Sequence, residues 1–132
     1  MAELVALDEL MQQSDVVTLH CPLTEETKHL IDAEKIALMK KNAILINCAR
    51  RPVVDYEALA EALKQNRIGG AGVDVYETEP PIPCSHVMLH TPNTIVTPHI
   101  AFASEESMML RAEIVFRNLS EWMEGNQINV IL

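Results

Sequence analysis

The sequence contains few glycine, cysteine, aromatic and basic residues. Its 132 residues include 4 glycines and 10 lysines and arginines, against 19 acidic residues. Basic clusters are limited to the pairs Lys40-Lys41 and Arg50-Arg51. The chain therefore lacks the clustered positive charge with which proteins bind nucleic-acid phosphates. The formal net charge of −9 favours solubility instead.

Long apolar runs and a secretory signal are also missing. No run approaches the roughly 20 residues that span a bilayer, and the N-terminus lacks the basic start and apolar stretch of a signal peptide. The three cysteines, Cys21, Cys48 and Cys84, form an odd and sparse set that is typical of reduced thiols. These absences predict a cytoplasmic protein without a membrane span.

The residues that are present indicate one folded domain with alternating strands and helices. Hydrophobic residues make up 48% of the chain, enough for a core. Apolar spacing predicts helices over residues 4–13, 32–39, 56–66 and 104–124, and strands over 15–20, 43–47, 68–75 and 94–97. Alternation of this kind predicts an α/β fold with a mostly parallel sheet. Right-handed crossovers are expected to place helices on both faces.

A polar cluster follows each predicted strand. Ligands of parallel sheets bind outside the carboxyl ends of the strands, so these clusters are expected to converge on one edge of the sheet. The clusters occupy residues 20–24, 48–51, 74–81 and 97–99. Their convergence predicts a ligand site, although each residue taken singly also fits a structural role.

Three charged residues in these clusters form a candidate catalytic set, namely Arg50, Glu79 and His99. At a 2-oxo acid, Arg50 would bind the carboxylate. His99 would give a proton to the carbonyl oxygen as hydride reaches the carbon, and would take it back in the reverse direction. Glu79 would orient the imidazole and stabilise its charged form. Asp74 ends a glycine-rich strand, where an amide-bearing ring could donate to it.

Four motifs in order resemble one enzyme family. Residues 19–27 (LHCPLTEET), 47–55 (NCARRPVVD), 72–81 (GVDVYETEPP) and 97–101 (TPHIA) are similar to segments of the D-isomer-specific 2-hydroxyacid dehydrogenases. That family includes phosphoglycerate, glycerate, formate and D-lactate dehydrogenases. The likeness runs from about residue 8 to about residue 125. It implies a Rossmann-like fold and hydride transfer between a 2-hydroxy or 2-oxo acid and NAD, with NADP as the alternative.

The resemblance also implies residue roles. Arg50 matches the substrate-binding arginine, Glu79 and His99 match the acid/base pair, and Asp74 matches the residue that contacts the nicotinamide amide. The positions expected to bind the cofactor are His20, Cys21, Pro22, Thr27, Cys48, Ala49, Arg50, Asp74 and His99. No residue is expected to bind a metal.

The chain departs from the family pattern at three places. Arg51 and Pro52 stand where two small residues, commonly glycines, are usual, so a long cation is expected near the substrate. Phe102 replaces a frequent glycine and is expected to narrow the pocket. None of the glycines at 69, 70, 72 and 125 forms the Gly-x-Gly-x-x-Gly turn that binds pyrophosphate.

These departures lead to a prediction about domain organisation. Residues 1–126 are expected to be the C-terminal half of a Rossmann-type NAD-binding domain and residues 127–132 a tail, with the glycine-rich first βαβ unit and the substrate domain absent. The isolated chain is expected to be inactive. A sheet cut at its middle strand exposes an edge and an apolar flank, which predicts a homo-oligomer formed through the exposed edge.

Two alternatives remain open at this point. The chain could be a non-catalytic binding or assembly module that docks onto a full-length relative. A metal site could use Cys84, His86 and His90, which offer thiolate and imidazole ligands in one loop. The Cys-x-His-x-x-x-His spacing fits no common zinc signature, so the metal alternative is the weaker one.

Overall fold

The computed structural model describes residues 3–77 and 81–130. It divides into two compact units, Met1–Ile100 and Ala101–Leu132. The first unit contains the sheet and three helices, and the second contains one long helix. In the part of the chain that is described, no helix is both long and apolar enough to cross a membrane.

The first unit is built on a parallel sheet of four strands in the order β1-β2-β3-β4. The strands are β1 Val16–Leu19, β2 Ile44–Asn47, β3 Gly70–Val73 and β4 Thr94–Val96. The helices are α1 Leu7–Gln13, α2 Ala33–Leu38 and α3 Tyr56–Lys64, with 3-10 turns at Arg51–Val53 and Val87–His90. The predicted α/β class and parallel sheet are confirmed.

Local hydrogen bonds begin the helices where the sequence predicts. The side chain of Asp32 accepts from the Lys35 N–H at 2.9 Å, and that of Asp55 accepts from the first-turn N–H groups of α3 at 3.1 Å. Short polar side chains stabilise helix N-termini because they satisfy N–H groups without an intrahelical partner. Helix α1 begins three residues later than predicted, since Leu4 is fully exposed and has no core to pack against.

The core lies on one face of the sheet. Val17, Leu45 and Val73 point to that face and are at most 3% exposed. They belong to the same core cluster as buried residues of all three helices. Val16, Ile44 and Ile95 alternate with them and are 53%, 41% and 74% exposed. Side chains alternate between faces along a strand, so these residues mark a face of the sheet that none of the helices α1–α3 of the first unit covers.

The strand order explains this one-sided arrangement. Each crossover of the first unit advances by one strand in the same direction, and right-handed crossovers of that kind place their connections on the same face. The expectation of helices on both faces therefore does not hold for α2 and α3, and α1, which precedes β1, packs on the same side against α2. The apolar run of β2, which predicted cover on both faces, is covered on one, as the exposure of Ile44 shows.

The second unit consists of α4, Glu105–Met123, and its flanking residues. Ser104 caps the helix by accepting from the Ser107 N–H at 3.2 Å. Gly125 follows the last turn with a φ of 85°, a left-handed conformation that glycine adopts without strain. No side chain of α4 is buried, and its apolar residues, among them Phe116, Trp122 and Met123, are exposed.

Candidate active site

A cavity of about 450 Å³ lies at the carboxyl ends of β1 and β2. Its lining residues come from the two segments that follow these strands, and they are His20, Cys21, Pro22, Leu23, Cys48, Ala49 and Arg50. Six of the seven are among the predicted cofactor-binding residues, and Leu23 is an addition. The sequence clusters at 20–24 and 48–51 therefore meet at this edge, as predicted.

Thr27 is the predicted cofactor-binding residue of the first loop that lies outside the cavity lining, and its role in binding the cofactor stays a prediction. It does not line this cavity, but its Oγ1 donates to the carbonyl oxygen of Pro22 at 2.8 Å and accepts from the Thr24 N–H at 2.8 Å. These bonds close the loop that carries Pro22. Thr27 thus shapes the cavity wall through its neighbours.

The second wall of the cavity is held by Asn47, a residue that the sequence reasoning missed. Asn47 is 1% exposed. Its Oδ1 accepts from the Ala49 N–H at 3.1 Å, while Nδ2 donates to the carbonyl oxygen of Arg50 at 3.2 Å and to the hydroxyl of Tyr56 at 3.0 Å. A polar residue that ends an otherwise apolar strand was the signal available in the sequence, because such a side chain needs buried partners.

Tyr56 extends this network towards β3. Its hydroxyl donates to the Val75 carbonyl oxygen at 2.8 Å. Burial raises the pKa of the Tyr56 phenol far above its usual value, although the hydrogen bond from Asn47 opposes the change. The phenol therefore stays protonated and acts as a fixed link between the Arg50 turn and the segment after β3.

The two neighbouring arginines behave differently. Arg50 is exposed and lines the cavity, and its Nη1 donates to the Ala49 carbonyl oxygen at 2.7 Å. The Nε of Arg51 lies 2.8 Å from Oε1 of Glu77. This is an ion-pair separation without hydrogen-bond geometry. The guanidinium carbon of Arg51 also lies 5.7 Å from the ring centroid of Tyr56, and Arg51 is not among the residues that line the cavity. The expected position of Arg51 near the substrate stays a prediction.

Asp74 fixes the turn that carries His99. Asp74 is 3% exposed, and its Oδ1 accepts from the Thr97 hydroxyl at 2.5 Å and from the Ile100 N–H at 2.8 Å. His99 lies inside this turn, half-buried, with a φ of 58°. A non-glycine residue in that region is unusual and is held by its surroundings. Asp74, predicted to contact nicotinamide, thus also positions the predicted acid/base.

One hydrogen bond and one electrostatic effect link the Asp74 turn to the cavity. The Asp74 N–H donates to the Asn47 carbonyl oxygen at 3.1 Å. Burial raises the pKa of the Cys48 thiol, and the negative charge of Asp74 raises it further. The ends of β2 and β3 are therefore neighbours electrostatically as well as in register, and Cys48 is held as a neutral thiol.

Glu79 lies outside the described residues, so its predicted pairing with His99 stays a prediction. The described carboxylate nearby in sequence is Glu77, whose Oε2 lies 2.9 Å from Nε2 of His86. Partial burial acts to raise the pKa of Glu77. Its own backbone N–H, His86 and the charge of Arg51 outweigh burial, so the pKa lies below its usual value.

The histidines of the alternative metal site have other partners. His86 Nδ1 accepts from the Met88 N–H at 3.2 Å, and His90 Nε2 lies 2.6 Å from the Cys84 carbonyl oxygen. Among the described residues, no group of three or more histidine, cysteine or acidic side chains could hold a metal ion. Nothing in this loop supports the metal alternative.

Phe102 belongs to the second unit. There its ring centroid lies 5.6 Å from the guanidinium carbon of Arg111, and its carbonyl oxygen accepts from the Ser107 hydroxyl at 2.5 Å. The expected narrowing of the pocket by Phe102 stays a prediction.

Comparison with known proteins agrees with this geometry. Residues 1–101 match the family described as D-isomer specific 2-hydroxyacid dehydrogenase, NAD binding domain. The chain belongs to this family. The resemblance on which the site residues rest is therefore confirmed at the level of the family, and the domain concerned is one that binds NAD.

Individual dehydrogenases and reductases of this kind are similar over nearly the whole chain. A glycerate dehydrogenase from Methylorubrum extorquens is 48% identical over 132 residues, covering 97% of this chain and 41% of that protein. A glyoxylate reductase from Thermofilum pendens is 48% identical over 123 residues, covering 93% and 36%. The structure of D-lactate dehydrogenase with NAD+ from Lactobacillus jensenii matches with a TM-score of 0.86 at 32% identity, covering 97% and 42%.

These matches also show how much of each relative's length the chain covers. It spans about two fifths of the length of the relatives that it matches. Family membership concerns the cofactor domain, and the activity of a whole dehydrogenase is a separate question.

Proposed function

We propose that this chain supplies part of the active site of an NAD-dependent oxidoreductase that interconverts D-2-hydroxy acids and 2-oxo acids. Residues 1–126 would form the C-terminal half of its Rossmann-type domain, followed by a tail at residues 127–132. The observation that carries the proposal is the cavity at the ends of β1 and β2, where Arg50 and five other predicted cofactor-binding residues meet.

The described residues suit an NAD site in part. Pockets that bind small molecules and cofactors are typically a few hundred Å³ in volume, and the cavity of about 450 Å³ falls in this range. Cys21 and Pro22 would lie on the adenine side, and Cys48 and Ala49 would border the cofactor through their backbone. Hydride transfer is the chemistry that NAD supplies when bound. NADP remains the alternative cofactor.

The chain's own residues would handle charge and protons. Arg50 would bind the substrate carboxylate, because a guanidinium can donate two parallel hydrogen bonds to it. His99 would give its proton to the carbonyl oxygen of the 2-oxo acid and would recover one from the hydroxyl in the reverse direction. Glu79 would stabilise the protonated imidazole. The Asp74 bonds that hold the His99 turn support this assignment.

The same proposal includes inactivity of the isolated chain. The pyrophosphate of NAD is bound in this fold by backbone N–H groups of a glycine-rich turn at a helix N-terminus. The chain's glycines are at 69, 70, 72 and 125, three of them in or next to β3. We expect weak NADH binding and no measurable reduction of glyoxylate by the chain alone.

A chimaera tests the proposal directly. Residues 1–126 would replace the matching segment of the Thermofilum pendens glyoxylate reductase, and glyoxylate reduction by NADH would be followed at 340 nm. We expect the chimaera to reduce glyoxylate. His99→Asn should lower the rate of reduction at least about 100-fold, in line with general acid catalysis, and Arg50→Lys should lower it less. A folded chimaera that binds NADH but is no more active than its His99→Asn variant would contradict the proposal.

The alternative function is a non-catalytic binding or assembly module. It is favoured by the uncovered apolar face at Val16, Ile44 and Ile95, since monomers rarely expose contiguous apolar patches of large area.

Within the described residues, β1 and β4 are the edges of the sheet, and we propose that a second copy pairs with one of them. Sedimentation velocity that shows only monomer at micromolar concentrations would reject this pairing.

The cellular location is also part of the proposal. Cys21 and Cys48 are half-buried free thiols and Cys84 is an exposed one. Free thiols are typical of reducing compartments, which supports a cytoplasmic location.

A further inference from the structure

Arg51 takes part in a cluster that ties two loops together. It is the first residue of the 3-10 turn Arg51–Val53. Its side chain lies over the Tyr56 ring and 2.8 Å from Glu77, which in turn lies 2.9 Å from His86. His86 meets Tyr56 edge-on, with ring centroids 6.2 Å apart. The Arg51 and Glu77 side chains are 24% and 44% exposed, so the pair is only partly screened by water.

The backbone of this turn sets the position of Arg50. The Arg50 carbonyl oxygen accepts from the Val53 N–H at 3.2 Å and from Asn47 Nδ2 at 3.2 Å, and the Arg51 carbonyl oxygen accepts from the Val54 N–H at 3.1 Å. These bonds hold the turn to β2 and to itself. The Arg51 side chain adds the connection to the loop after β3, which carries Glu77.

We propose that Arg51 is a positioning residue for Arg50. Its ion pair with Glu77 and its contact with Tyr56 hold the turn that presents Arg50 to the cavity. The pair also neutralises the second cation, so that Arg50 is the arginine that faces an anionic substrate among the residues lining the cavity. The importance of this positioning for substrate rests on the proposed function, whereas the ordering of the turn does not.

Hydrogen exchange of the full chain, followed by NMR, tests the ordering of the turn. We expect the Val53 and Val54 amides to exchange about two- to fivefold faster in Arg51→Gln and in Glu77→Gln, the range given by a partly exposed ion pair. The double variant should be no faster than either single variant, because both remove the same pair. Arg51→Lys keeps the charge and should restore slow exchange.

Asp8→Asn is the matched control. It breaks the Lys35–Asp8 ion pair, whose atoms are 2.6 Å apart, at a place remote in sequence from the turn. We expect no change at Val53 and Val54. Unchanged exchange in Arg51→Gln, or acceleration equal to that of the α3 amides, would overturn the inference, since the latter indicates global destabilisation.

An NMR titration with oxamate, an analogue of a 2-oxo acid, tests the effect on ligand binding. Arg51→Gln should weaken oxamate binding about two- to fivefold, in proportion to the disorder of the turn. Arg51→Lys should restore binding, and Arg50→Gln should abolish it. Unchanged binding in Arg51→Gln would refute the positioning role. The titration uses the chimaera with the glyoxylate reductase in the presence of NADH, because the isolated chain is expected to be inactive. If the unsubstituted chimaera binds no oxamate, the proposed role of Arg50 fails, while the exchange experiment on the chain still decides whether Arg51 orders the turn.

Discussion

Replacement of Asn47 by alanine is the most informative perturbation of this structure. Asn47 ends β2, is 1% exposed, and makes three hydrogen bonds, to the Ala49 N–H, the Arg50 carbonyl and the Tyr56 hydroxyl. Alanine removes all three and leaves the Ala49 N–H without its partner in a buried place. The substitution thus tests whether one side chain holds the Arg50 turn to the sheet.

The expected cost follows from the number and type of these bonds. A neutral hydrogen bond contributes about 0.5–1.5 kcal/mol, and a buried donor left without a partner costs about 1–3 kcal/mol. We therefore expect Asn47→Ala to lower the free energy of unfolding by about 2–4 kcal/mol. The free energy of unfolding of a small domain is about 5–15 kcal/mol in total, so the variant should still fold but with a much lower free energy of unfolding.

Urea denaturation followed by circular dichroism is the suitable assay. Circular dichroism reports on the helices and strands themselves, whereas the only tryptophan, Trp122, lies on α4 of the second unit. With a slope of about 2 kcal/mol per molar urea, the middle of the usual range, the midpoint should fall by about 1–2 M. A loss below about 0.5 kcal/mol would refute the reasoning, because it would mean that these bonds are replaced by water.

Tyr56→Phe supplies the matched control. It keeps the buried ring but loses the hydroxyl, which accepts from Asn47 and donates to the Val75 carbonyl. We expect a cost of about 1–2 kcal/mol. Both substitutions remove the same Asn47–Tyr56 hydrogen bond, so the double variant should lose about 1 kcal/mol less than the sum of the two single losses. Strict additivity would show that Asn47 and Tyr56 do not act together.

Three further predictions concern other parts of the first unit. A Cβ on Gly69 would lie 2.6 Å from the backbone oxygen of Asn42, which is too close, whereas a Cβ on Gly72 would meet only side-chain atoms of Ile46 at 3.7 Å, an ordinary contact. Gly69→Ala should therefore lower the melting temperature, and Gly72→Ala should not. Asp74→Ala should lower the free energy of unfolding, measured by urea denaturation, by at least about 3 kcal/mol, because the hydrogen bonds from the Thr97 hydroxyl and the Ile100 N–H to the carboxylate are lost. An equal loss for Asp74→Asn would contradict the role of its Oδ1 as acceptor. The pKa of Glu77 is lower in the folded state than its usual value, so its pairing with Arg51 stabilises the fold above the unfolded pKa and loses this effect as pH falls through the folded pKa. The difference in melting temperature between the unsubstituted chain and Glu77→Gln should therefore shrink from pH 7 to pH 3. A difference that stays constant would exclude this linkage.

Much of the fold was predictable because its signals are local. The Asp32 and Asp55 caps accept from N–H groups two or three residues away, and short-range bonds of this kind leave a readable pattern. The strand-end positions of Arg50 and His99 follow from the same pattern, since the carboxyl ends of parallel strands meet at one edge. The motifs themselves then identified the family.

Other features depend on partners distant in the chain. Asn47 bonds to Tyr56 nine residues on, and Arg51 pairs with Glu77 twenty-six residues on, so neither contact leaves a local pattern. Arg51 was expected near the substrate, and its pairing with Glu77 could not be read from the turn alone. Thr27 likewise matched a lining position, yet its hydroxyl is directed to the loop backbone.

The sequence alone determined the elements, the family and the residues that carry charge at the strand ends, because propensity, capping and motif spacing act over a few residues. Only the tertiary structure decided which face of the sheet is covered, which of the two arginines lines the cavity, and which side chains hold its walls. Those outcomes depend on strand order and on contacts across the sheet, where an uncompensated charge or a buried polar group must find its partner in space.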